Sequence, residues 1–321
     1  MKKLVLLLAA LLPGLLAHSQ EADDRGAYAE VTFVARAEYS SLESGHHLGN
    51  SSFYALVDGG FTPNLSFSVS THLLSSTPAD LYRNTLYSCS TNWLDWAYLC
   101  YDFGKFRISL GKDCISAGTW ETDAYDFDSY YEISSGYWNC LQVYQWGGKF
   151  TWAPSEDFNL SAHITTSPFG ERPFSSGLYS YTLHAYGKTG CYEGRMAFNF
   201  HQLEPKSYMK LFSMGHSLNF EKWQVVWDSY MDFFTKTVPM SQLLYATFSP
   251  TEKWAFTGRV AFQTVGQEDE DFLIRRDPYW LGGVMVNWMP IEMLRFHALA
   301  SYDSMLKSPL FNFGVTWKLT L

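Results

Sequence analysis

The sequence predicts an all-β fold: a transmembrane, antiparallel, up-and-down β-barrel of about 16 strands. Three observations predict it. Apolar and polar residues alternate with a period of two along most of the chain, short turns alternate with long loops between these segments, and Trp and Tyr gather near the segment ends. Together they are typical of strands with one face in lipid and the other in water.

The composition excludes several other classes of protein. Of the 321 residues, 47% are hydrophobic and 17% are charged, and the chain holds 12 Trp, 21 Tyr and 24 Phe. A disordered chain and a coiled coil both have fewer aromatic residues and more charge. Lys and Arg number 23 against 32 for Asp and Glu, which argues against nucleic acid as a partner. So many aromatic residues need an environment other than a surface exposed to water.

Residues 1–19 are predicted to be a cleaved signal peptide. Lys2 and Lys3 precede the apolar run Leu4–Leu16, and Ala17 and Ser19 supply small residues before the cleavage point. An uncleaved membrane anchor is the alternative, but the apolar run is short for a span. The mature chain, 20–321, reads as one barrel domain without a linker, and no later segment is apolar for long enough to predict a transmembrane helix.

The C-terminal segment shows the alternation most clearly. Phe311, Phe313, Val315 and Trp317 share one face, and polar residues or glycine occupy the positions between them. A strand separates these two sets, whereas a helix would mix them. The same reasoning gives sixteen strands centred near Phe33, Leu56, Val69, Tyr98, Ile108, Tyr144, Ala162, Thr182, Ala197, Phe212, Trp227, Ala246, Gly258, Val284, Ala298 and Val315.

The connections alternate in length. Short turns, such as Asp102–Lys105 and Pro154–Asp157, are rich in Gly, Pro, Asn and Asp, which favour tight turns. Longer polar loops are predicted near 41–52, 75–94, 112–139, 167–177, 203–207, 235–241, 264–278 and 304–309. Short turns at one end and long loops at the other are the pattern of outer-membrane barrels. Both chain ends then lie on the short-turn side, as an even-numbered closed barrel requires.

The alternative fold is a soluble, aromatic-rich, carbohydrate-binding β-sandwich. The positions of Trp and Tyr favour the membrane barrel. Trp152, Trp254, Trp288 and Trp317 are among those near the ends of apolar strand faces. Rings that are partly apolar and partly polar suit the two headgroup layers of a bilayer. Backbone groups in lipid must also pair within the protein, so a sheet that spans a membrane has to close.

The chain resembles Gram-negative outer-membrane porins of the sixteen-stranded type, both general and phosphate-selective. The most specific resemblance is the strand end Ile108–Asp113, which is followed after the fifth strand by the longest loop, 112–139. The resemblance implies that this third loop folds into the lumen, and that the protein forms trimers and contacts outer-membrane lipid. The last residue is Leu321, where many such proteins have Phe.

The charges of the third loop and of the strands predict the selectivity of a pore. The predicted acidic constriction is Asp113, Glu121, Asp123, Asp126, Asp128 and Glu132, against a single base, Lys112. The predicted basic pore lining is Arg36, Arg107, Lys149, Arg195, Arg259 and Arg295. Carboxylates favour cations, so we expect a water-filled channel for small hydrophilic solutes and ions with a weak preference for cations. Alternatively, the loop is an ordinary solvated outer loop and the bases pair with inward acids such as Glu38 and Asp228.

The remaining motifs favour no other chemistry. Cys114 and Cys140 flank the third loop and are a candidate disulfide, with Cys89 a rival partner. The His46-His47 pair lacks further ligands at zinc spacing, so neither a metal nor a cofactor is expected. Sequence patterns for a serine hydrolase, a zinc protease or a phosphate-binding loop are missing, so we expect no enzyme. A plugged barrel that acts in surface binding or adhesion stays an alternative.

Overall fold

The structure, a computed structural model, describes residues 27–42, 45–47, 51–75, 94–121, 133–137, 143–170, 174–232, 240–263, 279–304 and 307–321. The predicted signal peptide lies outside these residues. No helix within the described ranges is long and apolar enough to cross a membrane.

The described residues form seventeen β-strands. They are β1 (Tyr28–Leu42), β2 (Gly45–His47), β3 (Ser52–Thr62), β4 (Leu65–Ser75), β5 (Leu94–Phe103), β6 (Phe106–Cys114), β7 (Tyr144–Ser155), β8 (Phe158–Thr166), β9 (Tyr179–Thr189), β10 (Tyr192–Glu204), β11 (Ser207–Asn219), β12 (Trp223–Asp232), β13 (Met240–Thr251), β14 (Trp254–Gln263), β15 (Tyr279–Ile291), β16 (Leu294–Asp303) and β17 (Ser308–Thr320). The sixteen predicted strand centres all lie within these strands.

Sixteen of these strands close into an antiparallel, up-and-down barrel. Each pairs with its neighbours along the chain, and β2 is a short addition that pairs with the end of β1. The barrel closes where β17 pairs with β1, from Thr32 opposite Thr320 to Ser41 opposite Phe311. Closure leaves no open sheet edge, so backbone donors and acceptors are paired around the whole wall. The predicted fold class is therefore confirmed.

The two faces of the wall differ as the alternation predicts. In β6 the side chains of Phe106, Ile108 and Leu110 point outward and are exposed, while Arg107 and Ser109 point inward. Outward aromatic rings also stack across strands near the short-turn end, as Trp288 does with Trp254 and with Phe296. A soluble sandwich would instead bury its apolar faces between two sheets. The closed barrel rules out that alternative.

The structure differs from the predicted connections in two details. The expected loop at 203–207 is a tight turn, because β10 continues to Glu204 and β11 begins at Ser207. Lys206 makes this turn with a φ of 73°, in the left-handed region. In addition, β6 continues to Cys114, so the third loop begins after that residue rather than at Lys112.

Candidate functional site

Two segments of the third loop lie inside the barrel. They are residues 115–121 and 133–137, which we call the first and the second anchor segment. Ile115, Ala117, Ile133 and Tyr137 are each at most 1% exposed. Of these, Ala117, Ile133 and Tyr137 pack against inward-facing side chains of the wall. The alternative that this loop is wholly solvated and lies outside does not hold for these segments.

The carboxylate of Asp228 on β12 holds the first anchor segment. It accepts hydrogen bonds from two backbone N–H groups, Trp120 at 3.0 Å and Glu121 at 2.9 Å. On the same strand, the hydroxyl of Tyr230 lies 2.8 Å from that of Thr119. The inward side chain of a membrane strand thus takes the place of the backbone partners that a loop turning into the lumen lacks.

Glu121 joins the two anchor segments to each other and to the wall. Its carboxylate accepts hydrogen bonds from the Ser135 backbone N–H at 2.7 Å, from the Ser135 hydroxyl and from the Tyr230 hydroxyl at 3.0 Å. The guanidinium of Arg259 on β14 lies 3.6 Å away, and the Glu121 side chain is only 4% exposed. The structure therefore places Glu121, and Arg259 with it, in the loop attachment rather than at an opening.

Tyr137 fixes the second anchor segment. Its ring stacks on that of Tyr230 with centroids 4.6 Å apart, and its hydroxyl lies 3.2 Å from Nε2 of His201. Burial raises the pKa of Tyr137, so the phenol keeps its proton and can donate it to Nε2. Nδ1 of His201 then carries the ring hydrogen and donates to the Ser180 hydroxyl at 2.9 Å.

An apolar patch of the inner wall receives Ile133. The patch is formed by Leu243 on β13, Leu281 and Met285 on β15, and Leu299 on β16, each at most 3% exposed. A barrel of this width encloses water, so this patch would be wet without the loop. Burying one such side chain stabilises the attachment by about 1.5–3 kcal/mol. The hydrophobic effect thus draws the loop to the β13–β16 side of the lumen.

Gly118 allows the first anchor segment to lie against the backbone of β10. Its φ is +77°, and a Cβ atom placed there would come within 2.4 Å of the Ala197 backbone nitrogen. The position therefore needs a residue that tolerates left-handed φ and has no side chain.

On the other side of the first anchor segment, a polar cavity of about 430 Å³ lies against the inner faces of β4–β10. The loop contributes Ser116, Gly118 and Thr119 to its lining. The wall contributes hydroxyl, amide, imidazole and charged groups from seven strands. Its cations are Arg107, Lys149 and Arg195, and its one lining carboxylate is Asp113.

Each of the three cations has a partner. Lys149 Nζ lies 3.5 Å from a carboxylate oxygen of Asp113. Arg107 binds Asp102 through two hydrogen bonds, of 2.5 and 3.1 Å. The guanidinium of Arg195 stacks 3.7 Å above the ring of Trp120, on the loop. Cationic and anionic groups are thus combined on one wall, with the cations in excess.

The other predicted pore residues lie elsewhere on the inner face. Arg36 and Arg295 flank Thr316 on neighbouring strands near the barrel closure, away from the cavity. Arg36 forms a buried ion pair with Glu38. Lys112 is buried and donates to the backbone carbonyl of Leu94.

Several predicted residues fall outside the part of the chain that the structure describes: Asp123, Asp126, Asp128, Glu132 and Cys140. The Cys114–Cys140 disulfide therefore stays a prediction. Within the residues that the structure does describe, no group of three or more metal-ligating side chains lies together.

Sequence reasoning missed the residues that hold the loop. From the sequence, Asp228 is expected only as a partner for inward bases, and no motif marks Tyr230, Ser135, Tyr137 or His201. A signal for the attachment is nevertheless present in the sequence. Leu243, Leu281 and Leu299 stand at inward-facing positions of their strands, where water would otherwise surround them.

Known structures share the architecture. A loop-deletion variant of OmpT, an outer membrane protein of Vibrio cholerae, matches with a TM-score of 0.64 and 14% identity, over 92% of this chain and all of that chain. The shared fold is a closed, antiparallel, up-and-down β-barrel. A trimer form of OmpT matches with a TM-score of 0.58 and 12% identity, over 92% of this chain and 100% of that chain. A mutant of the Rh. blastica porin matches with a TM-score of 0.58 and 11% identity, over 91% of this chain and 100% of that chain.

These identities establish the fold alone. No protein-family model matches the sequence. A comparison with curated proteins finds no match either.

Proposed function

We propose that the protein is a porin: a water-filled channel through which small hydrophilic solutes and ions diffuse passively across the outer membrane of a Gram-negative bacterium. One observation carries the proposal. The two anchor segments lie on one side of a sixteen-stranded lumen and leave a polar, charged cavity on the other. A barrel of this size is wide enough for water, and the two anchor segments narrow it from one side.

The number and kind of loop contacts support a static constriction. Hydrogen bonds to Asp228 and Glu121, the stack of Tyr137 on Tyr230 and the burial of Ile133 attach the loop at separate points. A loop held in this way sets a fixed width. We therefore expect a steady conductance rather than frequent opening and closing.

Reconstitution in a planar bilayer tests the proposal. Pure, folded, heat-modifiable protein should insert from detergent and give stepwise increases in current with one unit size. A folded protein that adds no current to the bilayer would refute the channel and would favour the alternative, a plugged barrel that acts in surface binding or adhesion.

The weak preference for cations remains a proposal about residues 123–132. The reversal potential across a salt gradient measures it, because a cation-preferring pore develops a potential of defined sign. Neutralising Asp126, Asp128 and Glu132 together should shift this potential toward anions. Neutralising Glu252, Glu292 and Asp157 in the short turns removes the same charge far from the loop, and should shift it less. Equal shifts would show that the third loop is not the filter.

The remaining parts of the proposal concern assembly and export. We propose a homotrimer surrounded by outer-membrane lipid, and export through cleavage after Ser19. The trimer form of OmpT supports the oligomer only by analogy of fold. Cross-linking in detergent and N-terminal sequencing of the membrane-inserted protein test these two points. We propose no catalytic activity.

A further inference from the structure

The lining of the lumen cavity combines three features that a simple ion path does not need. Arg107, Lys149 and Arg195 supply cationic donors, against the one lining carboxylate of Asp113. Neutral hydroxyl and amide groups surround them, from Ser66, Ser109, Ser116, Thr119, Thr151, Asn159 and Ser161. The rings of Tyr98 and Tyr186 also face the cavity, beside the imidazole of His184.

We propose that this cavity is a binding subsite for a small hydroxylated anion, namely a monosaccharide that carries a phosphate or carboxylate group. The inference rests on the proposed channel function and names a class of solute for it. A cavity of about 430 Å³ falls in the range of about 300–1,000 Å³ that small-molecule sites occupy.

The cations bind the anionic group of the solute. Lys149 is 27% exposed, and its contact with Asp113, at 3.5 Å, is longer than a good charge-assisted hydrogen bond. Nζ can therefore turn toward an oxyanion. Arg107 uses Nε and one terminal nitrogen for Asp102, while its side chain stays 55% exposed and keeps further N–H donors.

The hydroxyl groups and the tyrosine rings bind the body of the solute. Thr151 stands opposite Arg107 on the neighbouring strand, and Ser109 stands opposite Lys149. A hydroxylated ring bound through its anionic group therefore meets hydroxyl partners one strand away. Such groups both donate and accept, which matches a sugar better than a bare ion. Inorganic phosphate would bind to the cations alone, and the hydroxyl groups would stay hydrogen-bonded to water.

The test is block of the potassium chloride current through single channels, with glucose 6-phosphate, glucose and inorganic phosphate as the three probes. Moderate salt of about 0.1 M keeps the electrostatic attraction measurable, because the screening length is then about 10 Å. We expect glucose 6-phosphate to block at the lowest concentration of the three.

Lys149→Gln should raise the half-blocking concentration of glucose 6-phosphate about tenfold, which corresponds to ~1.4 kcal/mol. Lys149→Arg should keep the block. The matched control is Arg295→Gln, which removes one inward positive charge outside the cavity and should leave the block nearly unchanged. An equal loss of block in Arg295→Gln and Lys149→Gln would overturn the subsite, because only the overall charge would then matter.

Thr151→Val tests the hydroxyl partners while keeping the volume of the side chain. It should weaken block by glucose 6-phosphate more than block by inorganic phosphate. Equal block of the wild-type channel by inorganic phosphate and by glucose 6-phosphate would overturn the sugar part of the proposal.

Failure of the subsite and failure of the channel are distinguishable. A channel that conducts without block by glucose 6-phosphate refutes the subsite and leaves the channel intact. Folded protein that does not conduct refutes the channel. In that case, calorimetric titration of the protein in detergent micelles with glucose 6-phosphate decides the subsite separately: heat of binding that disappears in Lys149→Gln supports it, and no heat overturns it.

Discussion

Asp228→Ala should release the first anchor segment while leaving the barrel folded. In the wild-type protein the carboxylate accepts two backbone hydrogen bonds, from Trp120 at 3.0 Å and Glu121 at 2.9 Å. A hydrogen bond to a charged group contributes about 1.5–3 kcal/mol. The two together therefore stabilise docking of this segment by about 3–6 kcal/mol. Asp228→Asn keeps only one acceptor oxygen, so it should lose about half of this stabilisation of the docked segment.

Hydrogen–deuterium exchange of the Trp120 and Glu121 amides measures this loss directly. Local opening limits their exchange, and each 1.4 kcal/mol is a factor of ten, so their protection should fall about 10²–10⁴-fold in Asp228→Ala. Amides of the barrel strands should keep their protection. The matched control is Asp157→Ala, in a short turn at the opposite end of the wall, which should leave Trp120 and Glu121 protected.

Conductance gives the functional counterpart of the exchange experiment. A released first anchor segment should make the single-channel current of Asp228→Ala noisier, because the loop then moves within the lumen. Unchanged protection of Trp120 and Glu121 in a folded Asp228→Ala variant would refute the reasoning. It would mean that the contacts of Glu121 and Tyr137 hold the loop without Asp228.

Three further predictions concern other parts of the molecule. Ile133→Ala should weaken the second anchor segment by about 2–4 kcal/mol, seen as faster amide exchange at residues 133–137; unchanged exchange would show that the apolar patch does not hold the loop. Leu183→Arg, at a lipid-facing position that is 61% exposed, should cost about 2–4 kcal/mol in urea unfolding from lipid vesicles, whereas a cost near zero would place that face in water. Glu38→Gln should destabilise the barrel closure by about 3–5 kcal/mol, because it removes the buried carboxylate that forms an ion pair with Arg36; an unchanged temperature of heat modification on gels would contradict this.

The strands could be predicted from the sequence because their signal is local. A period of two separates Phe311, Phe313 and Trp317 from the polar residues between them, whatever the strand pairs with. Closure followed from the even number of strands and from the cost of unpaired backbone groups in lipid. The boundary errors arose where polar residues such as Glu204 and Asp113 belong to a strand rather than to a loop.

The candidate site was only partly predictable, because its contacts join residues far apart in the chain. The inward orientation of Arg107, Lys149 and Arg195 follows from alternation, but their grouping around one cavity depends on which wall the loop leaves open. Glu121 looked like a pore-lining acid by charge alone. Its burial against Ser135 and Arg259 depends on a packing arrangement that no local pattern encodes.

The sequence by itself determined the barrel, its strand order and the two faces of its wall, because alternation, turn residues and backbone pairing in lipid are properties of neighbouring residues. Only the tertiary structure decided where the third loop lies. That choice depends on Ile133 finding an apolar inner wall, and on Asp228 and Glu121 satisfying the backbone groups of two loop segments. The aromatic residues that marked the membrane face are local signals, whereas the path through the lumen is set by contacts across it.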